Sequence, residues 1–76
     1  MARKTSEQKN AEAHRYIAAI GAANAAELAP FLTDPNQGIR AAAAMNPDAD
    51  AEILDRFASD KFWGTRMEVV HNANVS

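Results

Sequence analysis

The chain has 76 residues, a formal net charge of −2 and no cysteine. That length allows one small domain, and the lack of thiols excludes disulfide frameworks, thiolate zinc sites, iron–sulfur clusters and cysteine nucleophiles. Hydrophobic residues make up 47%, but 18 of them are alanine; the 18 larger apolar side chains suffice for a compact helical core and are too few to enclose a roomy ligand cavity.

Residues 1–5 read as a frayed start. Thr5 with Gln8 three residues on matches a capping box, and Ala13, Tyr16, Ile17 and Ile20 share one face of a first helix over about 6–20. Gly21 is placed to end it in the left-handed conformation. Asn24 and Glu27 repeat the capping pattern ahead of a second helix, about 25–33, which Pro30 should shorten or kink. Asp34 followed by Pro35 and Gln37 predicts an aspartate-capped third helix running through Ile39–Met45 and ended by Asn46-Pro47. Asp48 or Asp50 caps a fourth, about 50–58, with Ile53, Leu54 and Phe57 inward. Asp60 opens a fifth, about 61–71, with Met67, Val69 and Val70 inward. No alternating period predicts a strand, so the chain reads as all-α.

No apolar run approaches the ~20 residues needed to cross a bilayer. The basic start Met1-Ala2-Arg3-Lys4 leads into no signal-peptide stretch, so a cytoplasmic protein is expected. Arg3, Lys4, Lys9 and Arg15 against Glu7 and Glu12 make residues 1–15 basic, whereas residues 16–76 hold four basic and eight acidic side chains. An acidic body is a poor duplex-DNA surface, and the basic segment reads as solvated helix.

Sliding the chain against itself by 26 residues aligns Phe31 with Phe57, Asp34 with Asp60, Gly38 with Gly64, Arg40 with Arg66 and Asn46 with Asn72. Leu28 also falls on Leu54, Thr33 on Ser59 and Ala43 on Val69. The physical reading is a two-helix unit used twice: the aspartate caps, the glycine allows close approach or a tight start, and the asparagine ends the helix in a left-handed turn. Matched arginines suggest a repeated role, such as pairing with the aspartate of a neighbouring turn or covering the stack with their stems.

The stretch from Asp34 to Asp60, with Ile39-Arg40, Asn46-Pro47 and Ile53-Leu54 in place, resembles one unit of the leucine-rich repeat variant family. A second unit begins at Asp60 and departs in having Thr65 before Arg66 and Ala73 after Asn72. The resemblance covers residues 28–76 well and 1–27 poorly. It implies a short right-handed α-solenoid of about five helices, related to HEAT and armadillo stacks. It also implies a single domain in which residues 6–27 form N-terminal capping helices and 28–76 two units, the second incomplete. Some members carry an iron–sulfur segment, which a chain without cysteine cannot hold.

On a repeat scaffold, function sits where units differ. Asn36-Gln37 in the first unit becomes Phe62-Trp63 in the second. The aromatic pair either caps the open end of the stack or packs on the first helix, or it anchors a partner. Past Val69 and Val70 the expected leucine-bearing segment does not follow, which predicts a surface covered by another chain, by the first helix or by the aromatic pair.

No catalytic constellation is found. Glu68 and His71 have the i, i+3 spacing of di-iron bundles but form one pair, and His14 is followed by Arg15, so no metal site is expected. Ser6, Ser59 and Ser76 lack a His/Asp setting, and Gly21, Gly38 and Gly64 are too far apart for a phosphate loop. The first expectation is a non-catalytic module that binds another protein or itself, with Phe62, Trp63, Arg66 and Arg40 as contacts. No cofactor, small-molecule substrate or membrane is expected. An alternative is a small acidic decoy of a nucleic-acid-binding protein, using Asp48, Asp50, Glu52 and Asp55, although helix capping also accounts for that group. A further alternative, nucleic-acid binding, runs against the sign of the charge.

Overall fold

The structure, a computed structural model, describes residues 3–72. The Thr5 hydroxyl accepts the Gln8 N–H at 3.1 Å, and the Gln8 side chain accepts the Thr5 N–H at 2.7 Å. The expected capping box therefore opens α1, Ser6–Gly21. Lys4 is held against Glu12 at 2.6 Å. The apolar stripe does not supply the packing face: Tyr16, Ile17 and Ile20 are 46%, 65% and 47% exposed, and α1 buries only Ala19. α1 packs on α3; Ala19 is fully buried, and Arg15 pairs with Asp34, ahead of α3, at 2.8 Å. The left-handed helix ends expected at Gly21 and Asn46 do not occur, since no described residue has positive φ. The chain leaves α1 through an extended Ala22 at ψ 136°.

Asn24 caps α2, Ala25–Leu28, by accepting the Glu27 N–H at 2.9 Å, and the Glu27 carboxylate accepts the Ala23 N–H at 2.8 Å. The predicted helix then tightens into a 3₁₀ segment, Ala29–Thr33, where Pro30 contributes no N–H. α3, Gln37–Ala44, starts later than expected. Asp34 precedes proline, which disfavours the helical basin, and it is extended at ψ 134°. Asn36 is the cap instead, accepting the Gly38 and Ile39 N–H groups at 2.8 and 3.2 Å. Asp50 caps α4, Ala51–Phe57, which buries Ile53, Leu54 and Phe57 as predicted. α5, Trp63–His71, likewise begins after rather than at the aspartate, with Phe62 as a cap that makes no side-chain bond. It buries Thr65 and Val69, whereas Met67 and Val70, expected inward, are 43% and 68% exposed.

The described residues are all-α, five helices and the 3₁₀ segment, with no strand. α3 packs on both α1 and α5, and α4 packs on α3 and α5. Leu28, Ile39, Ile53, Leu54, Phe57 and Val69 supply the larger buried apolar side chains, while Ala19, Ala43 and Ala44 are fully buried. Gly38 and Gly64 serve close approach: a Cβ would lie 3.1 Å from Asn36 Oδ1 in the first case and 2.6 Å from the Phe62 ring in the second.

Thr65 occupies the position that Ile39 holds 26 residues earlier. It is fully buried, and its hydroxyl has no hydrogen-bond partner. Thr65→Val keeps the shape and removes the orphaned hydroxyl, so it should raise stability by about 1 kcal/mol. A thermal melt followed by circular dichroism should show the midpoint rising by about 5 °C; a fall would mean that the hydroxyl is satisfied after all.

Candidate protein-interaction surface

The seams between helices are built from one arginine–aspartate arrangement used twice. Arg15 on α1 donates Nε to Asp34 Oδ2 at 2.8 Å and Nη2 to Oδ1 at 3.4 Å. Arg40 on α3 donates Nε to Asp60 Oδ2 at 2.8 Å and Nη2 to Oδ1 at 3.3 Å. Each aspartate also accepts, through Oδ1, the N–H two residues ahead: Asn36 at 2.9 Å and Phe62 at 2.8 Å. The carboxylate thus closes a turn and receives a fork from the preceding helix, an arrangement suited to the planar guanidinium. Burial alone would push the Asp60 carboxyl up. The Arg40 hydrogen bond, the Phe62 N–H and the charges of Arg40 and Lys61 outweigh it and hold the group below its usual value. Asp34 in turn raises the Arg15 guanidinium further. On the exposed side Glu12 receives Lys4 and Asn36 Nδ2, which hold its carboxyl low and tie α1 to the start of α3.

The asparagines matched at 26 residues close helix ends in other elements. Asn46, 2% exposed, donates Nδ2 toward the carbonyls of Ala19, Ile20 and Ala22 at 2.9, 3.1 and 2.9 Å. Asn72 donates Nδ2 to the carbonyls of Ala44 and Asn46 at 2.8 and 3.0 Å. The final carbonyls of α1 and α3 are orphans of helix geometry, and each set is satisfied by a side chain from a later element.

Phe62, Trp63 and Arg66 come together at the start of α5. The two rings lie 6.1 Å apart, centre to centre, tilted by 56°. Phe62 is half-buried over Gly64, while Trp63 is 65% exposed. Arg40 lies apart from them, 7% exposed in the seam between α3 and α5. Trp63, Arg66, Met67 and Val70 have i, i+3, i+4, i+7 spacing and are all exposed, so they form one stripe along α5. Residue spacing pointed to the aromatic pair and to Arg66 but assigned Met67 and Val70 to the core. Position-by-position comparison with α3 does not separate them: Ala43 aligns with buried Val69, but Ala44, also fully buried, aligns with exposed Val70.

The acidic residues Asp48, Asp50, Glu52 and Asp55 are exposed, and Asp50 is engaged as the α4 cap. Among the described residues no three His, Asp or Glu side chains converge as a metal site, and no helix is long and apolar enough to cross a membrane. Comparison with protein-family models, with curated proteins and with solved structures finds no match.

Proposed function

We propose that the chain is a non-catalytic protein-interaction module, built as a short right-handed α-solenoid of the leucine-rich repeat variant kind, and that the exposed stripe of α5 receives the partner. The observation that carries this reading is the contrast between α5 and α3 at matched positions. Arg40 and Ala44 are 7% and 0% exposed where α5 packs on α3, whereas Arg66 is exposed and Val70 is 68% exposed. A tryptophan, a methionine and a valine aligned beside an arginine have the composition of an interface core.

The test uses Trp63→Ser/Val70→Ser, two exposed positions whose replacement should leave the fold intact, with Phe62 kept because its ring packs over Gly64. Sedimentation velocity over a wide concentration range detects self-association, and affinity capture with wild type and variant as parallel baits detects other partners. An interaction lost in the variant, with an unchanged circular dichroism spectrum, supports the proposal. Identical behaviour of the two baits would place the interaction elsewhere.

A further inference from the structure

We propose that the cleft between the Asp34 and Asp60 turns binds a small-molecule oxyanion, a carboxylate or a phosphoryl group, through Arg40, Ser59, Lys61 and Thr33. The site does not use the Trp63–Met67–Val70 stripe and stands without the interaction reading above.

The chain makes similar turns ahead of α3 and α5, and the two form the walls of one open cleft of about 610 Å³. Thr33, Asp34 and Pro35 line one wall. Ser59, Asp60 and Lys61, their matches at 26 residues, line the other. Arg40 joins the walls, donating to the Asp34 carbonyl on one side and to the Asp60 carboxylate on the other. It lines the cleft while only 7% exposed, so it forms the floor. Composition pointed to no small-molecule site because turn residues, and not large apolar side chains, make these walls.

The unused polar groups of the cleft are donors. A guanidinium carries five N–H groups. Arg40 commits three of them, at Nε, Nη1 and Nη2, which leaves one on each terminal nitrogen. The Thr33 hydroxyl makes only a long bond, to the Pro30 carbonyl at 3.5 Å. Among the described residues the Ser59 hydroxyl makes no hydrogen bond, and Lys61 acts on Asp60 through its charge without forming an ion pair. The acceptors, by contrast, are taken. Asp34 and Asp60 each receive an arginine fork and a backbone N–H. Their side chains are 4% and 7% exposed, so a cation finds no ligand there.

The charges select the same class of ligand. Arg15 and Arg40 answer the two aspartates. Lys61 stands where the first turn has Pro35, and Arg66 bonds the Asp60 carbonyl beside that wall at 2.6 Å. These two positive charges are surplus. An oxyanion over Arg40 uses the spare N–H groups in charge-assisted bonds and meets a hydroxyl from each wall.

The test is an NMR titration of the full chain with inorganic phosphate and, separately, with acetate, chloride holding the ionic strength constant. The amides of Thr33, Ser59 and Lys61 and the Arg40 Nε–H should shift saturably with at least one of them, while the amides of Lys9 and His71 stay in place. Tighter binding of phosphate makes the ligand group phosphoryl, and tighter binding of acetate makes it a carboxylate; either supports the site. Ser59→Ala/Lys61→Gln alters two exposed side chains and leaves the Arg40–Asp60 pair intact. It should weaken binding by about fivefold or more, with amide dispersion showing that the fold is kept. No saturable shift with either anion would overturn the proposal. So would equal affinity in the double variant, or shifts of the same size at Lys9 and His71.

Discussion

Asn46→Ala should be the most damaging single truncation in the protein. The side chain is 2% exposed, and its amide spans three carbonyls at the end of α1 while Oδ1 accepts the Asp48 N–H at 2.7 Å. Alanine removes both donors from the buried hydrogen bonds to the Ala19 and Ala22 carbonyls. An unsatisfied buried group costs about 1–3 kcal/mol, so the loss should come to about 3 kcal/mol or more. A domain of this size holds about 4–11 kcal/mol in total. The melting midpoint should fall by more than about 10 °C. Asn46→Asp should do at least as much harm at neutral pH, since it sets a negative charge against carbonyl oxygens. Urea titration of both variants checks this; a cost below about 1 kcal/mol for Asn46→Ala would show that water replaces the amide.

The second large effect is expected from separating Arg40 and Asp60. Their side chains are 8% and 7% exposed, so Arg40→Met leaves a carboxylate without its fork in a nearly dry seam. Removing one partner of a buried pair costs about 3–5 kcal/mol, whereas removing both is often close to neutral. Arg40→Met should therefore bring the domain near its folding limit, and Arg40→Met/Asp60→Asn should recover most of the loss. The pair also sets a pH dependence. Because the folded carboxyl of Asp60 titrates below its ordinary value, the unfolded chain binds its proton first as pH falls. The stability Asp60 contributes is complete above the usual aspartate value of about 4 and drains away as pH drops through the folded value. The double variant should lose less stability than wild type over that acid range. Parallel curves for the two proteins would show that Asp60 plays no part in acid unfolding.

The helices themselves were legible because caps and breakers act locally. Thr5 with Gln8, Asn24, Pro30 and Asp50 each act within four residues of where they stand, and each behaves as its spacing implies. The faces were less legible. Hydrophobic periodicity assumes that the largest apolar residues pack. In α1 the arginine–alanine edge packs and Tyr16, Ile17 and Ile20 face outward, because close helix approach favours small residues. The aspartates were misplaced for a related reason: a helix cap satisfies local N–H groups, but Asp34 and Asp60 also answer arginines on a preceding helix, and proline holds Asp34 extended. The 26-residue correspondence drew attention to Arg40, Arg66, Asn46 and Asn72. It could not reveal that Asn46 serves α1, or that Arg15, out of step with that offset, grips Asp34 through the same two guanidinium nitrogens.

Alanine in the seams also shapes the response to temperature. Ala19, Ala43 and Ala44 are fully buried, yet each removes little apolar surface from water, and the larger buried apolar side chains are Leu28, Ile39, Ile53, Leu54, Phe57 and Val69. The heat capacity of unfolding scales with the apolar area exposed. A core so dependent on backbone proximity and polar clasps should therefore have a heat-capacity increment at or below the low end of the usual range, about 12 cal/mol/K per residue. Its stability curve should accordingly be shallow, with folding strength changing little between cold and warm conditions.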